Sequence, residues 1–546
     1  MTNLLTILLV VGSSAALAWP LGRYLTHSMQ HGSTPLSRGL GPQSWRQYLG
    51  AMLCFNALMF VFSFAVLFTQ HLLPLNPDAR GALSWDLAFN TAASFTTNTN
   101  LQHYSGEVQM SYLTQVFALM WLQFVSAATG IACLAALARG LAGKADGPGN
   151  FFVDLQRATF LVLLPLALVV ALLFALGGMP MTLHGAAQAT TLEGAVQTIA
   201  RGPVAAFVAI KQLGTNGGGF FGPNSTHPLE NPNMFTNVVA MFAILVIPMA
   251  CVWMFGRITK RMGHAAIIFG VMLALLGGKI AWSFNYESAP TAAFAELPVE
   301  ASSNLEGKEL RLGAATGPLW AVLTTSTSNG SVGAMHNSLN PLTGLAPLTG
   351  MWLNATFGGV GVGMINMFIY IVVAVFLAGM MIGRTPEYMG RRVEAGEMGL
   401  AAACLVAHPL LILGGTALFC LVPAWGAEAI NNGGARGFTE MLYEFSSAAA
   451  NNGSGYEGLS DGSVLWNVAT GLVMLIGRYL PILLPLAIAA RLAAKRPVAE
   501  TVGTLRTDTP TFGVMLAAVI ILLGALTFLP AAVLGPVAEH LIAAQP

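Results

Sequence analysis

Four short polar stretches interrupt an otherwise apolar chain: Thr97-Asn98-Thr99, Thr215-Asn216-Gly217, Ser328-Asn329-Gly330 and Asn451-Asn452-Gly453. Each sets a small polar residue before Asn and closes on Gly or Thr, and their central asparagines lie 118, 113 and 123 residues apart. A single Asn-Gly is only a turn signal, but four copies at near-constant spacing mark an internal repeat. The chemistry on offer is coordination by backbone carbonyls. Glycine lets a carbonyl turn inward without a side chain in the way, and rings of carbonyls replace the hydration shell of an alkali cation. A ring selective for a divalent ion would carry Asp or Glu, and the triplets have neither. The expected ligand is a monovalent cation, potassium first, and the plain alternative is four external turns that tie helices together.

Such loops need elements that gather them at one place. The chain has 546 residues, 55% hydrophobic and 9% charged, against roughly 25% charged in a soluble domain, so it reads as a membrane protein. Ten runs of about 20 apolar residues are expected to span the bilayer. They lie at 4–22, 50–73, 113–138, 159–178, 235–256, 264–284, 360–383, 398–420, 464–490 and 514–535. Each triplet lies between two such runs and follows a segment too short to cross, at 85–95, 204–213, 319–325 and 438–449. Irregular backbone at membrane depth survives only when it is buried in protein or lines a watery path.

The expected fold is therefore an all-α polytopic membrane protein. Four repeats of span, half-helix, filter loop and span ring a pseudo-fourfold pore, with one extra helix at each end. The expected divisions are 1–48 (first additional helix and its loop), 49–146, 147–262, 263–397 and 398–506 (pore repeats one to four) and 507–546 (last additional helix).

Basic residues near span ends are retained on the cytoplasmic side. The loops after spans one, three, five, seven and nine hold sixteen of the 24 Lys and Arg, among them Arg23, Arg139, Lys144, Arg257, Arg384 and Arg491. They hold only seven acids: Asp146, Asp154, Glu387, Glu394, Glu397, Glu500 and Asp508. These loops are expected to be cytoplasmic and both termini extracytoplasmic. The outer face is then acidic, which raises the local concentration of cations. The first apolar run lacks a basic leader and is expected to be a retained helix rather than a cleaved signal. The five cysteines show no paired spacing and are expected to be packing residues.

The stretches SFTTNTNLQHYSGE (94–107), AIKQLGTNGGGFFGPNSTHPLENP (209–232), NLEGKELRLG (304–313), FGGVGVG (357–363), GRTPEYMGRR (383–392) and SSAAANNGSG (446–455) resemble the potassium-translocating A subunit of Kdp-type potassium-transporting P-type ATPases. The resemblance runs from the first span to GALTFLPAAVLGPVAEH near the end. It implies a channel-like subunit in a bacterial inner membrane, with ten spans and one selectivity filter. Its implied partners are a P-type ATPase catalytic subunit, a peripheral single-span subunit and a small accessory membrane peptide. It puts filter roles on Asn98, Thr215, Gly217, Ser328, Asn329, Gly330, Asn451 and Gly453, and ties Gln102 to potassium affinity. Asn329 stands where some members carry Cys, and Ala450 where some carry Asn.

Arg478 lies in the ninth run, about 20 Å deep at 1.5 Å per residue. It is expected beneath the filter, where it repels cations, with snorkelling to the cytoplasmic interface as the alternative. Gly358, Gly359, Gly361 and Gly363 crowd the start of the seventh run; they break the helix into a gate or allow close helix packing. Lys211 is a candidate partner of Glu230, and His408 is expected to bond locally. No P-loop motif, DKTG or HExxH occurs. The cytoplasmic loops are too short for a nucleotide-binding domain of about 100 residues, so the chain is expected to bind no nucleotide and no nucleic acid. Two alternatives stand beside the pump subunit: an autonomous potassium transporter or channel of the Trk or Ktr kind, and an intramembrane enzyme, for which no nucleophile and base pair is found.

Overall fold

A computed structural model describes residues 2–143, 147–288, 304–498 and 505–543; Lys144, Asp146 and Glu500 lie outside them. Among the described residues ten helices are long and apolar enough to cross a membrane. They are Leu4–His31, Trp45–Leu72, Thr114–Ala142, Phe151–Leu176, Met234–Thr259, Met262–Glu287, Val362–Ile382, Ala395–Leu421, Val464–Ala494 and Pro510–Ala543. Each overlaps one expected run. Most extend further, because capping rather than hydropathy ends them: Ser44 accepts from the Gln47 N–H at the start of the second span, and Asn233 from the Thr236 N–H at the start of the fifth.

Short helices stand where half-helices are expected, at Trp85–Thr96, Val204–Leu213, Thr316–Ser326 and Gly434–Ala450. Each runs at its C-terminal end straight into a polar triplet. Burial then sorts the spans into an inner and an outer set. The most apolar stretch is 72%, 78%, 67% and 44% buried in spans three, five, seven and nine, against 22%, 33%, 39% and 22% in spans two, four, six and eight. Within each consecutive pair, the second span is thus more buried inside the chain than the first, as helices ringing one axis would be.

The additional helices pack on the outside. The first lies against the fifth span, where Gly22 leaves no room for a Cβ beside Trp253 and the Trp19 and Trp253 rings meet edge to face at 4.8 Å. The last lies against the third repeat, with Phe528 stacked on Trp352 at 4.9 Å. On the side of the basic loops, Arg139 pairs with Asp154, which also accepts from Tyr48 Oη at 3.0 Å, and Glu397 takes Arg491 and Lys495 at 2.8 and 2.7 Å.

Two features were not expected from the sequence. A hairpin of Ala187–Thr190 and Val196–Ile199 precedes the second short helix. More consequential, a helix at Pro341–Leu353 leads into the seventh span through residues 354–361, so that the break weighed at the glycines of 358–363 separates two helices rather than shortening one. Its signals are Asn340-Pro341 at the start, with proline at the first helical position, and Asn354 in the left-handed conformation at the end.

Candidate functional site: four polar loops around one axis

The backbone aligns the four triplets. Asn98, Thr215, Ser328 and Asn451 all adopt left-handed φ, at +65°, +49°, +47° and +51°. The next residue in each loop donates its N–H to the carbonyl five residues back: Thr99 to Ser94 (2.9 Å), Asn216 to Lys211 (3.0 Å), Asn329 to Thr324 (2.8 Å) and Asn452 to Ser447 (2.9 Å). The first loop therefore sits one residue further on than the sequence spacing suggests. Its equivalent triplet is Asn98-Thr99-Asn100, and Thr97 belongs to the last turn of the short helix, where its hydroxyl donates to the Ala93 carbonyl at 2.8 Å. The sequence comparison matched Asn to Asn, whereas backbone geometry matches Thr99 to the three central asparagines.

Glycines close the ring. A Cβ on Gly217 would lie 1.8 Å from the Asn329 carbonyl oxygen, one on Gly330 2.0 Å from that of Asn452, and one on Gly453 2.0 Å from that of Thr99. Loop two thus abuts loop three, three abuts four, and four abuts one. The remaining contact, loop one on loop two, uses other chemistry. Asn98 Nδ2 donates to the Gly214 and Thr215 carbonyls at 3.2 and 2.9 Å, and its Oδ1 accepts from Asn216 Nδ2 at 2.6 Å. Asn100 replaces the glycine, at φ +55°, and its Oδ1 accepts from Gln123 Nε2 at 3.0 Å. Two central asparagines also cross-link neighbours: Asn329 Nδ2 reaches the Lys211 carbonyl at 3.3 Å and Asn452 Nδ2 the Thr324 carbonyl at 3.0 Å.

The central carbonyls are left over. Thr99, Asn216, Asn329 and Asn452 are all buried, yet among the described residues their main-chain oxygens accept no hydrogen bond. Buried backbone acceptors are normally paired, so four such carbonyls without donors, one in each loop, stand out. All four short helices also present their C-terminal ends to the loops. Each such end carries roughly half a negative charge from its aligned peptide dipoles.

On the inner side of this ring lies the 354–361 segment. Val360 N–H donates to Thr215 Oγ1 at 2.9 Å, Gly358 N–H to the Ser326 carbonyl at 2.9 Å, and Asn354 joins Ser328 Oγ (2.7 Å) to the Ala450 carbonyl (3.1 Å). The glycines both break the helix and pack closely. Gly358 and Gly361 take φ +57° and +78°, which breaks the helix, while Gly361 packs where its Cβ would fall 2.2 Å from the Gly130 carbonyl of the third span. A Cβ on Gly363 would fall 1.7 Å from the Phe357 carbonyl oxygen, and Gly359 faces Thr215 and Ser328.

Arg478 does not snorkel. It is 4% exposed, and its guanidinium donates to the Ser126 carbonyl at 2.9 Å. Ser126 Oγ in turn donates to Asn98 Oδ1 at 2.7 Å, and one helical turn outward from Arg478 the Met474 carbonyl accepts from Asn451 Nδ2 at 3.0 Å. Among the described residues no carboxylate pairs with Arg478.

Further side chains support the loops. Gln102 clamps the Gly219 peptide, donating to its carbonyl at 3.0 Å and accepting from its N–H at 2.7 Å. Lys211 is fully buried and bonds Glu230, its candidate partner, together with Asn224 Oδ1 and Ser225 Oγ at 2.5 and 2.8 Å. Glu230 also accepts from the Phe220 N–H at 3.0 Å, so the pair braces the chain behind the second triplet. His408 bonds the Met351 carbonyl at 3.1 Å and takes no part in the ring. Above the loops opens a 520 Å³ cavity lined by Gln102, Asn224, Gly453, Glu457 and Asp461, with no Lys or Arg among its described lining residues. An acidic, concave mouth of this kind concentrates cations.

The sequence model of the potassium-transporting ATPase A subunit family matches residues 7–541. Three curated relatives carry the name potassium-transporting ATPase potassium-binding subunit. Those of Phocaeicola vulgatus and Bacteroides thetaiotaomicron are 44% identical over 564 aligned positions, covering 99% of each chain. That of Geobacillus kaustophilus is 46% identical over 505, covering 92% of this chain and 90% of its own.

Proposed function

The chain belongs to the potassium-transporting ATPase A subunit family, and from that premise we propose how it works: it is the potassium-binding, channel-like subunit of an ATP-driven potassium transport complex. Potassium collects in the acidic outer mouth and sheds water at a filter built from Asn98-Thr99-Asn100 and the three triplets centred on Asn216, Asn329 and Asn452. It then passes inward over the 354–361 segment. The observation that carries this reading is the ring of four buried central carbonyls without hydrogen-bond donors, which is what dehydrating an alkali cation requires.

Below the filter, Val360, Gly358 and Asn354 hold the broken helix against the loops, and it acts as the gate. Arg478 opposes straight passage of cations through the centre. The ion leaves sideways, toward a P-type ATPase partner that hydrolyses ATP. The names of the relatives favour this assembly over an autonomous transporter of the Trk or Ktr kind. A single-span peripheral subunit, a small accessory membrane peptide, a bacterial inner-membrane location with both termini outside, and the repeat limits 49–146, 147–262, 263–397 and 398–506 complete the proposal.

The test is to isolate the tagged chain gently from its native membranes and assay ATP hydrolysis with and without potassium. Co-purifying, potassium-stimulated hydrolysis that falls on Gly217→Asp is expected. Potassium flux through the chain alone, with no ATPase attached, would contradict it.

A further inference from the structure

Beside the outer mouth, three side chains from distant parts of the chain converge on one point. His103 Nε2 lies 3.2 Å from Glu444 Oε1 and 3.8 Å from Asp461 Oδ2, and all three ligand atoms fall within 4.8 Å of one another. A zinc-class ion with bonds of about 2.0–2.1 Å sets neighbouring tetrahedral ligands about 3.3–3.4 Å apart, close to the two distances from His103, and the two carboxylates draw in from within 4.8 Å when an ion binds.

The surroundings are those of a metal site rather than of a chance cluster. Asn467 Nδ2 donates to Asp86 Oδ2 at 2.7 Å, which turns Asn467 Oδ1 toward His103 Nδ1 at 2.7 Å. That fixes the proton on Nδ1 and leaves Nε2 facing the carboxylates, the outer-shell support that metal-bound histidines have. Glu444 is fully buried and its Oε2 has no hydrogen-bond partner. Asp461 keeps 24% of its side chain exposed and lines the mouth, which gives an ion a way in and an open fourth position.

We propose that His103, Glu444 and Asp461 form a zinc-class transition-metal site at the outer mouth, and that an ion held there hinders access of potassium to the loops. Binding replaces any proton on Nε2, which leaves to solvent. His103 follows Asn100 by three residues and Glu444 lies on the short helix that carries Asn451. A positive ion at this point repels cations from the same mouth and stiffens two of the four loops. The hindrance, but not the binding, rests on the function proposed above.

The experiment uses the purified complex freed of metal by a chelator, titrated with cobalt(II) and then zinc(II) as the only added ligands. One cobalt per chain with the strong visible absorption of a four-coordinate site, displaced by zinc, is expected. His103→Gln and Asp461→Asn should each abolish stoichiometric uptake while leaving the melting temperature within a few degrees of wild type, and Asn467→Ala should weaken it about 10- to 100-fold. Zinc should raise the potassium concentration needed for half-maximal ATPase in the wild type and not in Asp461→Asn. No stoichiometric cobalt uptake by the wild type, weak octahedral absorption only, or uptake unchanged in both ligand variants overturns the site. Uptake as expected with potassium-stimulated ATPase insensitive to zinc overturns the hindrance alone, and a preparation without ATPase counts against the proposed function while the cobalt titration still decides the site.

Discussion

The α-carbon of Gly217 is packed so tightly against the next loop that a Cβ there would come within 1.8 Å of the Asn329 carbonyl oxygen. Gly330 and Gly453 repeat the relationship with Asn452 and Thr99. Glycine is needed for two reasons at once, since these residues also hold φ of +80°, +89° and +102°. Left-handed backbone alone costs an L-residue about 1–2 kcal/mol and each 1.4 kcal/mol is tenfold, so Gly217→Ala, Gly330→Ala and Gly453→Ala should each raise the half-maximal potassium concentration of the complex at least about fivefold. Gly270→Ala on the sixth span, where a Cβ meets nothing within 4 Å, should match the wild type.

Gln102 holds the Gly219 peptide by two hydrogen bonds and touches no central carbonyl. Bonds of this kind contribute about 0.5–1.5 kcal/mol each, so Gln102→Ala should weaken apparent potassium affinity by about three- to a hundredfold. The maximal ATPase rate should hold, because the clamp positions the second loop rather than the gate. Potassium titrations of the purified complex separate the two quantities.

Lys211 and Glu230 form a fully buried pair behind the second triplet. Removing one partner strands a charge and typically costs about 3–5 kcal/mol, so Lys211→Met should lower the melting temperature sharply. Lys211→Met combined with Glu230→Gln should recover much of the loss. A double variant no better than the single one would show that the Asn224 and Ser225 contacts of Lys211, not the ion pair, brace the loop.

Arg478 places a buried cation, unpaired by any described carboxylate, inside the ring and linked through Ser126 to Asn98. Arg478→Gln removes the charge and keeps much of the length. Passive potassium flux into proteoliposomes without ATP should rise above wild type, while Arg478→Lys stays close to it. Equal leak in all three proteins would remove the electrostatic barrier from the account.

Much of this architecture was legible in the sequence because hydropathy and repeat spacing are strong signals. The spans and the four short helices follow from composition and spacing, whereas the sequence offered Glu230 only as one candidate partner of Lys211 and folding settles the pair. The register of the first loop did not, since Asn98 resembles the central asparagines in type while Thr99 matches them in backbone geometry. The helix at Pro341–Leu353 was hidden because its 13 residues fall below spanning length and end in a glycine-rich stretch that reads as a loop. The cluster of His103, Glu444 and Asp461 carries no spacing pattern, and only folding brings its members together.

The proposed filter is built on the buried carbonyls of Thr99, Asn216, Asn329 and Asn452. The direct measurement is to locate the ion in a high-resolution structure of the potassium-stimulated complex, using the anomalous scattering of thallium(I) exchanged for potassium. The predicted result is a peak on the axis, in contact with those four oxygens and lost on Gly330→Ala. A complex that hydrolyses ATP in a potassium-dependent way, yet shows its ion elsewhere and no peak among these carbonyls, would contradict it.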